Sequence, residues 1–81
     1  MNFERSKYKS KLTAKEFDLK KMEMRIATLR DALRDLLDPF IPIKDLRGEQ
    51  ITAHALEFAM LQIEYNQTAA EITSIKDALE D

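Results

Sequence analysis

The chain contains no cysteine and no tryptophan, and it has one glycine and two prolines among its 81 residues. Without cysteine it forms no disulfide and has no thiolate nucleophile, a composition typical of reducing compartments. The glycine and both prolines lie between residues 39 and 48. Because Gly and Pro are the strongest interruptions of regular structure, the sequence predicts one turn between two long segments.

Long apolar runs are also missing. No segment approaches the ~20 apolar residues of a membrane span, and the first twelve residues lack the apolar run of a signal peptide. We therefore expect a soluble, cytoplasmic protein with no membrane association. A chain of this length forms one small domain, and two helices packed only on each other bury little surface, so stability is expected to need a second chain.

Two ladders of apolar residues, spaced by seven, are the main feature that is present. The first contains Leu12, Leu19, Ile26, Leu33 and Phe40, with Met22, Leu29 and Leu36 offset by three; the second contains Ile51, Phe58, Tyr65, Ile72 and Leu79, with Leu61 and Ile75 offset by three. This spacing is typical of helices that pack along their whole length. It predicts an all-α fold, an antiparallel two-helix hairpin with helices at about 14–38 and 47–80.

Local signals predict where the helices begin and end. Thr13 and Glu16 have the spacing of a capping box, which predicts a helix start at Thr13. Pro39 disfavours helical geometry at the residue before it, so the first helix should end near 38. The chain then divides into a basic N-terminal arm, 1–12, and a hairpin domain, 13–81, with a loop at 39–48. The apolar residues of this loop are expected to cap the end of the core: Phe40, Ile41, Ile43 and Leu46.

One register matches nearly all apolar positions of the two ladders. It pairs residues whose numbers sum to 87, so that Tyr8, for example, faces Leu79. The same register places Arg25 near Glu64, which predicts an ion pair beside the seam. The matching of both ladders around one turn is what favours a hairpin over two independent helices.

The second helix has more apolar surface than one neighbouring helix can cover. Beside its seam, a stripe of apolar and small residues recurs at steps of three and four, the period of a helix face. An exposed stripe of this kind is a liability on a monomer, so it predicts a homodimer with the character of a four-helix bundle. The alternative is that it covers the loop or arm of its own chain. The predicted oligomer interface consists of Ala53, Leu56, Ala59, Met60, Ile63 and Ala70.

Little in the sequence points to chemistry. His54 is the only histidine and is interpreted as a residue at the edge of the core. Glu57, Glu64 and Glu71 form an acidic ladder, interpreted as a solvated or ion-paired edge of the seam, because neither helix has the Glu-x-x-His motif of di-iron bundles. No nucleophile–base pair, phosphate-binding loop or metal-spaced cluster is visible. We expect no catalytic residues, no cofactor and no metal, and therefore no enzyme.

Charge is unevenly distributed along the chain. Residues 1–25 contain eight Lys/Arg and four Asp/Glu, whereas residues 26–81 contain five and eleven. The predicted function is a small structural or protein–protein interaction module that self-associates through the second helix, with an unidentified protein as a possible further partner. The alternative is a nucleic-acid-associated accessory protein, unless the acidic tail at 77–81 neutralises the arm. The possible contacts to an anionic partner are Arg5, Lys7, Lys9 and Lys11.

Overall fold

A computed structural model describes residues 2–80 and shows an all-helical hairpin. Helix α1 covers Asn2–Leu36, a single 3-10 turn covers Ile43–Asp45, and helix α2 covers Gly48–Glu80, with no strand in this range. The molecule is a rod of 64 × 16 × 15 Å. Between residues 2 and 80, neither helix has a stretch long and apolar enough to cross a bilayer.

Contacts between the helices fix their antiparallel direction. Lys15 of α1 contacts Glu71 of α2, and Arg25, further along α1, contacts Glu57, earlier in α2. Tyr8 and Leu79 line one groove at the end of the hairpin away from the loop, which agrees with the predicted register. The antiparallel hairpin is therefore consistent with the prediction.

The seam between the helices contains the residues that the seven-residue ladders predict. Each seam position between Leu12 and Leu36, and between Ile51 and Leu79, is buried or half-buried. Only three apolar side chains of residues 3–80 are fully buried, and Leu29 is the most enclosed at 1 % exposed. The core is thus a thin line of side chains between two helices, and few positions carry most of its stability. The fully buried residues are Leu29, Thr68, Ile72 and Ile75.

Helix α1 begins eleven residues earlier than the capping box predicts. The helix is continuous from Asn2, and the Thr13 hydroxyl donates a hydrogen bond of 3.1 Å to the carbonyl of Lys9 one turn earlier. Thr13 is therefore an interior helical residue, and the predicted start at Thr13 is wrong. Lys, Arg and Glu are good helix formers, which favours a helix through the basic segment, where Tyr8 lines a groove with Leu79.

The connection between the helices is a hydrogen-bonded loop, residues 37–47. The Phe40 N–H donates to the Asp38 side chain at 2.8 Å, and the Ile41 N–H donates to the Asp38 carbonyl at 3.1 Å. Pro39 at the second position of this turn has the φ that the turn requires. Helix α1 consequently ends at Leu36, two residues before the predicted limit, and α2 begins one residue after its predicted start.

The loop does not cap the core as predicted. Phe40 is 92 % exposed and Ile43 is 88 % exposed, while Leu46 is exposed to a smaller degree. Ile41 alone is half-buried. The turn after α1 is closed by hydrogen bonds to Asp38, and the side chains of Phe40 and Ile43 lie outside the core. The rigid loop therefore presents two large apolar groups to solvent.

Candidate self-association surface

The outward face of α2, opposite the seam, carries no charge over six turns. From Thr52 to Ser74, none of the positions that point away from α1 is Lys, Arg, Asp or Glu. The only Lys, Arg, Asp or Glu residues in this part of α2 lie on one flank of the helix. This face, named here the α2 stripe, has apolar and small residues at its centre, and they recur at helical spacing. The α2 stripe consists of Ala53, Leu56, Ala59, Met60, Ile63, Gln67, Ala70 and Ser74.

No other part of the described chain covers the α2 stripe. Leu56, Met60 and Ile63 are 61 %, 62 % and 60 % exposed, and Ala53, Ala59 and Ala70 are exposed as well. The basic segment is helical and runs along the seam side, and the loop closes at one end. The alternative that the stripe covers its own loop or arm is therefore wrong. Three adjacent large apolar side chains remain open to solvent on a continuous uncharged surface.

Helix α1 has no comparable face. Its stretch 12–37, which faces 50–75 of α2 in the register, contains eleven charged residues, whereas 50–75 contains three. Met24 is 71 % exposed on the outer side of α1, but charged residues surround it. Phe17 is also exposed, and the Lys21 ammonium lies 5.0 Å from the centre of its ring. Isolated apolar groups among charges are ordinary protein surface, so only α2 has the character of an interface.

One flank of the hairpin is closed by ion pairs. The Arg25 guanidinium donates two hydrogen bonds to the Glu57 carboxylate, at 2.6 and 2.7 Å. These bonds hold the pKa of Glu57 below its ordinary value. The predicted pair between Arg25 and Glu64 is wrong, because the long Arg side chain reaches the glutamate one heptad earlier; Glu64 lies along the same groove as Arg25 without pairing to it.

Two further ion pairs link the helices near the open end. The Lys15 ammonium lies 2.6 Å from Glu71, and the hydrogen bond to that carboxylate raises the pKa of Lys15. On the opposite flank, Lys76 lies 3.9 Å from Glu16. Lys15 occupies a seam position and extends outward to reach its partner, as a long cationic side chain can. Glu57 and Glu71 thus belong to the hairpin itself, which supports the ion-paired interpretation of the acidic ladder.

His54 is half-buried in the seam, as predicted. Its Nδ1 lies 2.8 Å from the Gln50 carbonyl oxygen one turn earlier. A carbonyl oxygen only accepts, so Nδ1 carries the proton in this contact. Within residues 2–80, no group of three or more His, Cys, Asp or Glu is arranged to hold a metal ion.

The basic residues of the N-terminal segment are exposed and distributed around α1. Each successive residue of an α-helix turns by about 100°. Arg5 and Lys9 therefore share one side, while Lys7 and Lys11 share another. None of the four forms an ion pair within the described chain, so the expected neutralisation by the acidic tail is absent for residues 77–80; Asp81 lies outside the described residues.

The C-terminal end of the α2 stripe reaches this basic segment. Ala70 and Ser74 line a shallow groove with Lys11 and Glu71. A partner seated along the whole stripe would therefore contact a lysine at this end. This proximity was not predicted because residues 1–12 were expected to form a separate arm, although the predicted pairing of Tyr8 with Leu79 requires helix before Thr13.

Comparison with known proteins gives no match: no family model fits the chain, and no curated protein or solved structure is significantly similar to it.

Proposed function

We propose that this chain is a small interaction module that self-associates through the α2 stripe into a homodimer. The supporting observation is the exposure of Leu56, Met60 and Ile63, each about three-fifths open, on a face without charge from Thr52 to Ser74. A continuous apolar surface rimmed by polar groups is typical of a protein–protein interface. The small residues Ala53 and Ala59 allow a second helix to approach closely.

Dimerisation would also add the buried apolar surface that the thin core of one hairpin lacks. Chains of this size gain little from a single core and often depend on oligomerisation. A second copy packed on α2 would convert its outward face into a second seam. The resulting assembly has the character of a four-helix bundle, and its function is to hold its own surfaces, or a further partner, in a fixed arrangement.

A matched pair of substitutions tests this proposal. Met60→Asp places a charge in the middle of the α2 stripe, and Met24→Asp places the same charge at a similarly exposed Met on α1. We expect Met60→Asp to weaken the dimer at least about 30-fold, the equivalent of ~2 kcal/mol, because a charge buried without a partner is strongly unfavourable. Met24→Asp should change the dissociation constant less than about twofold.

Sedimentation velocity and light scattering over a range of concentrations measure the dissociation constants of both variants. Circular dichroism of each variant establishes that the hairpin is still folded. A wild-type chain that stays monomeric at high micromolar concentration would contradict the proposal. Equal effects of the two substitutions would contradict the assignment of the interface to α2.

A second candidate function, binding of a nucleic acid, rests on the exposed basic residues. Arg5, Lys7, Lys9 and Lys11 have no ion-pair partner within the described chain, and phosphate contacts need such free cations. Their distribution around the helix favours this function less than a single basic stripe would. The combined change of Lys7, Lys9 and Lys11 to Gln should abolish salt-sensitive binding in a gel-shift titration and should weaken dimerisation much less than Met60→Asp does. Changing Lys20 and Lys21 to Gln is the control.

A further inference from the structure

The α2 stripe is a narrow part of the surface: the span 53–74 extends about 33 Å along a helix roughly 10 Å wide. Its large apolar side chains are Leu56, Met60 and Ile63. A dimer formed through α2 therefore gains from any further exposed apolar surface that joins the contact.

Two other apolar groups of residues are exposed, one at each end of the rod. Phe40 and Ile43 project from the loop end. At the open end, where α1 begins and α2 finishes, Phe3 is 82 % exposed and Tyr8 lies in a groove beside Leu79. The rod is 64 Å long, so the two groups cannot meet within one chain. They can meet between two copies that lie side by side in opposite directions.

The loop is ordered in a way that favours contact with a partner. Its backbone is held by hydrogen bonds from Ile41 to Asp38, from Asp45 to Pro42 and from Leu46 to Ile43, at 3.1, 2.9 and 3.2 Å. Pro39 and Pro42 further restrict the backbone. The exposed apolar side chains therefore lose little backbone entropy on binding.

The position of the α2 stripe is compatible with an antiparallel pair in which the two rods overlap along their whole length. The stripe covers 53–74, which leaves five residues of α2 before it and six after it. A two-fold axis perpendicular to the helix maps a centred patch onto itself with full overlap, and residues near Met60 and Ile63 then meet at the axis. This arrangement places each loop beside the other copy's open end.

Charge distribution along the rod favours the antiparallel direction over the parallel one. The loop half, residues 23–64, carries five Lys/Arg and eight Asp/Glu, whereas the open half, 1–22 and 65–81, carries eight and seven. An antiparallel pair places the acidic half of each copy beside the slightly basic half of the other. A parallel pair places the two acidic halves together, which is unfavourable.

We propose that two copies of this chain associate antiparallel, with Phe40 and Ile43 of each loop packed on the open end of the other copy. This inference rests on the proposed dimerisation through α2 and specifies its direction and extent. It assigns the exposed loop residues to the same interface as the α2 stripe.

The absence of cysteine makes the direction measurable with a single label. Lys44→Cys places one nitroxide spin label on each loop of the dimer, and pulsed electron paramagnetic resonance gives the distance between labels. An antiparallel pair predicts about 50 Å, the length of α2. A distance below about 30 Å indicates a parallel pair, since packed helices lie about 8–10 Å apart, and overturns the inference while leaving dimerisation intact. Absence of any dipolar signal, with a monomeric mass, overturns both.

The contribution of the loop is tested by substitution. Replacing both Phe40 and Ile43 by Ser should weaken the dimer about tenfold in sedimentation equilibrium. Phe17→Ser, which removes an exposed aromatic ring from α1, should leave the constant unchanged. Because all three residues are exposed, the variants are expected to fold, and circular dichroism verifies this. An unchanged dissociation constant in the loop variant overturns the assignment, and binding of the loop to another protein would then be the remaining explanation of its exposure.

Discussion

Helices α1 and α2 share one seam but have opposite outward faces. Along the facing stretches, α1 carries eleven charged residues and α2 carries three. Both helices bury their seam positions, so the difference does not arise from the hairpin itself. Packing between the two helices determines which residues point inward, and it places no restriction on the outer surface. The contrast therefore indicates that something outside the hairpin determines the outer surface of α2.

If α1 and α2 differ only in their outward faces, the stability of the seam should depend equally on buried residues of both helices. Leu29→Ala on α1 and Ile72→Ala on α2 each remove a buried aliphatic side chain. We expect each to reduce the free energy of unfolding by about 3 kcal/mol, from the lost burial and the cavity left behind. Urea unfolding at one fixed protomer concentration measures both. A much larger effect on one helix would show that the two sides of the seam are not equivalent.

A second prediction applies to the outward faces directly. Ala59→Lys on α2 and Ala14→Lys on α1 make the same change at exposed alanines of the two helices. Ala59→Lys should weaken the dimer about tenfold, or ~1.4 kcal/mol, because the lysine must be desolvated or must force the helices apart. Ala14→Lys should have no measurable effect on the dissociation constant in sedimentation equilibrium. If both substitutions weakened the dimer to a similar degree, the outward faces of α1 and α2 would not differ in their contribution to dimerisation.

The smallest expected effect involves the ion-paired flank of the seam. The hydrogen bonds from Arg25 lower the pKa of Glu57 in the folded hairpin relative to the unfolded chain. A lowered folded pKa stabilises the fold above the unfolded value, about 4.3, and that contribution disappears as the pH falls through the folded pKa. The difference in unfolding free energy between wild type and Arg25→Gln should therefore be present at pH 7 and shrink towards pH 3. A difference that stays constant over this range would assign the effect of Arg25 to packing.

The seam was predictable from the sequence because its physical cause is a period. A residue every seven positions, offset by three or four, must lie on one side of a helix, whatever its neighbours are. The same argument predicted the α2 stripe, since Leu56, Met60 and Ile63 have that spacing on the other side. The only glycine and both prolines lie in one turn region, and this predicted where the chain reverses to form an antiparallel hairpin.

Features determined by local competition were not predictable in this way. The spacing of Thr13 and Glu16 fits a capping box, but the helix-forming residues before Thr13 continue the helix, and the Thr13 hydroxyl bonds to the Lys9 carbonyl instead. Arg25 had two glutamates within reach of its side chain, one heptad apart, and the register alone does not choose between them. The exposure of Phe40 accompanies a turn that is closed by two hydrogen bonds to Asp38, and these bonds cannot be read from a pattern of hydrophobicity.

If the chain dimerises as proposed, its thin core would make folding depend on the concentration of the protein. With few buried residues in each described hairpin, a copy without its counterpart would be only marginally stable, and by mass action the folded fraction would grow as copies accumulate. Surplus monomers at low abundance would open often enough to be cut by proteases, whereas assembled copies would persist. A cell could then adjust the level of the assembly through synthesis alone, without a dedicated inhibitor.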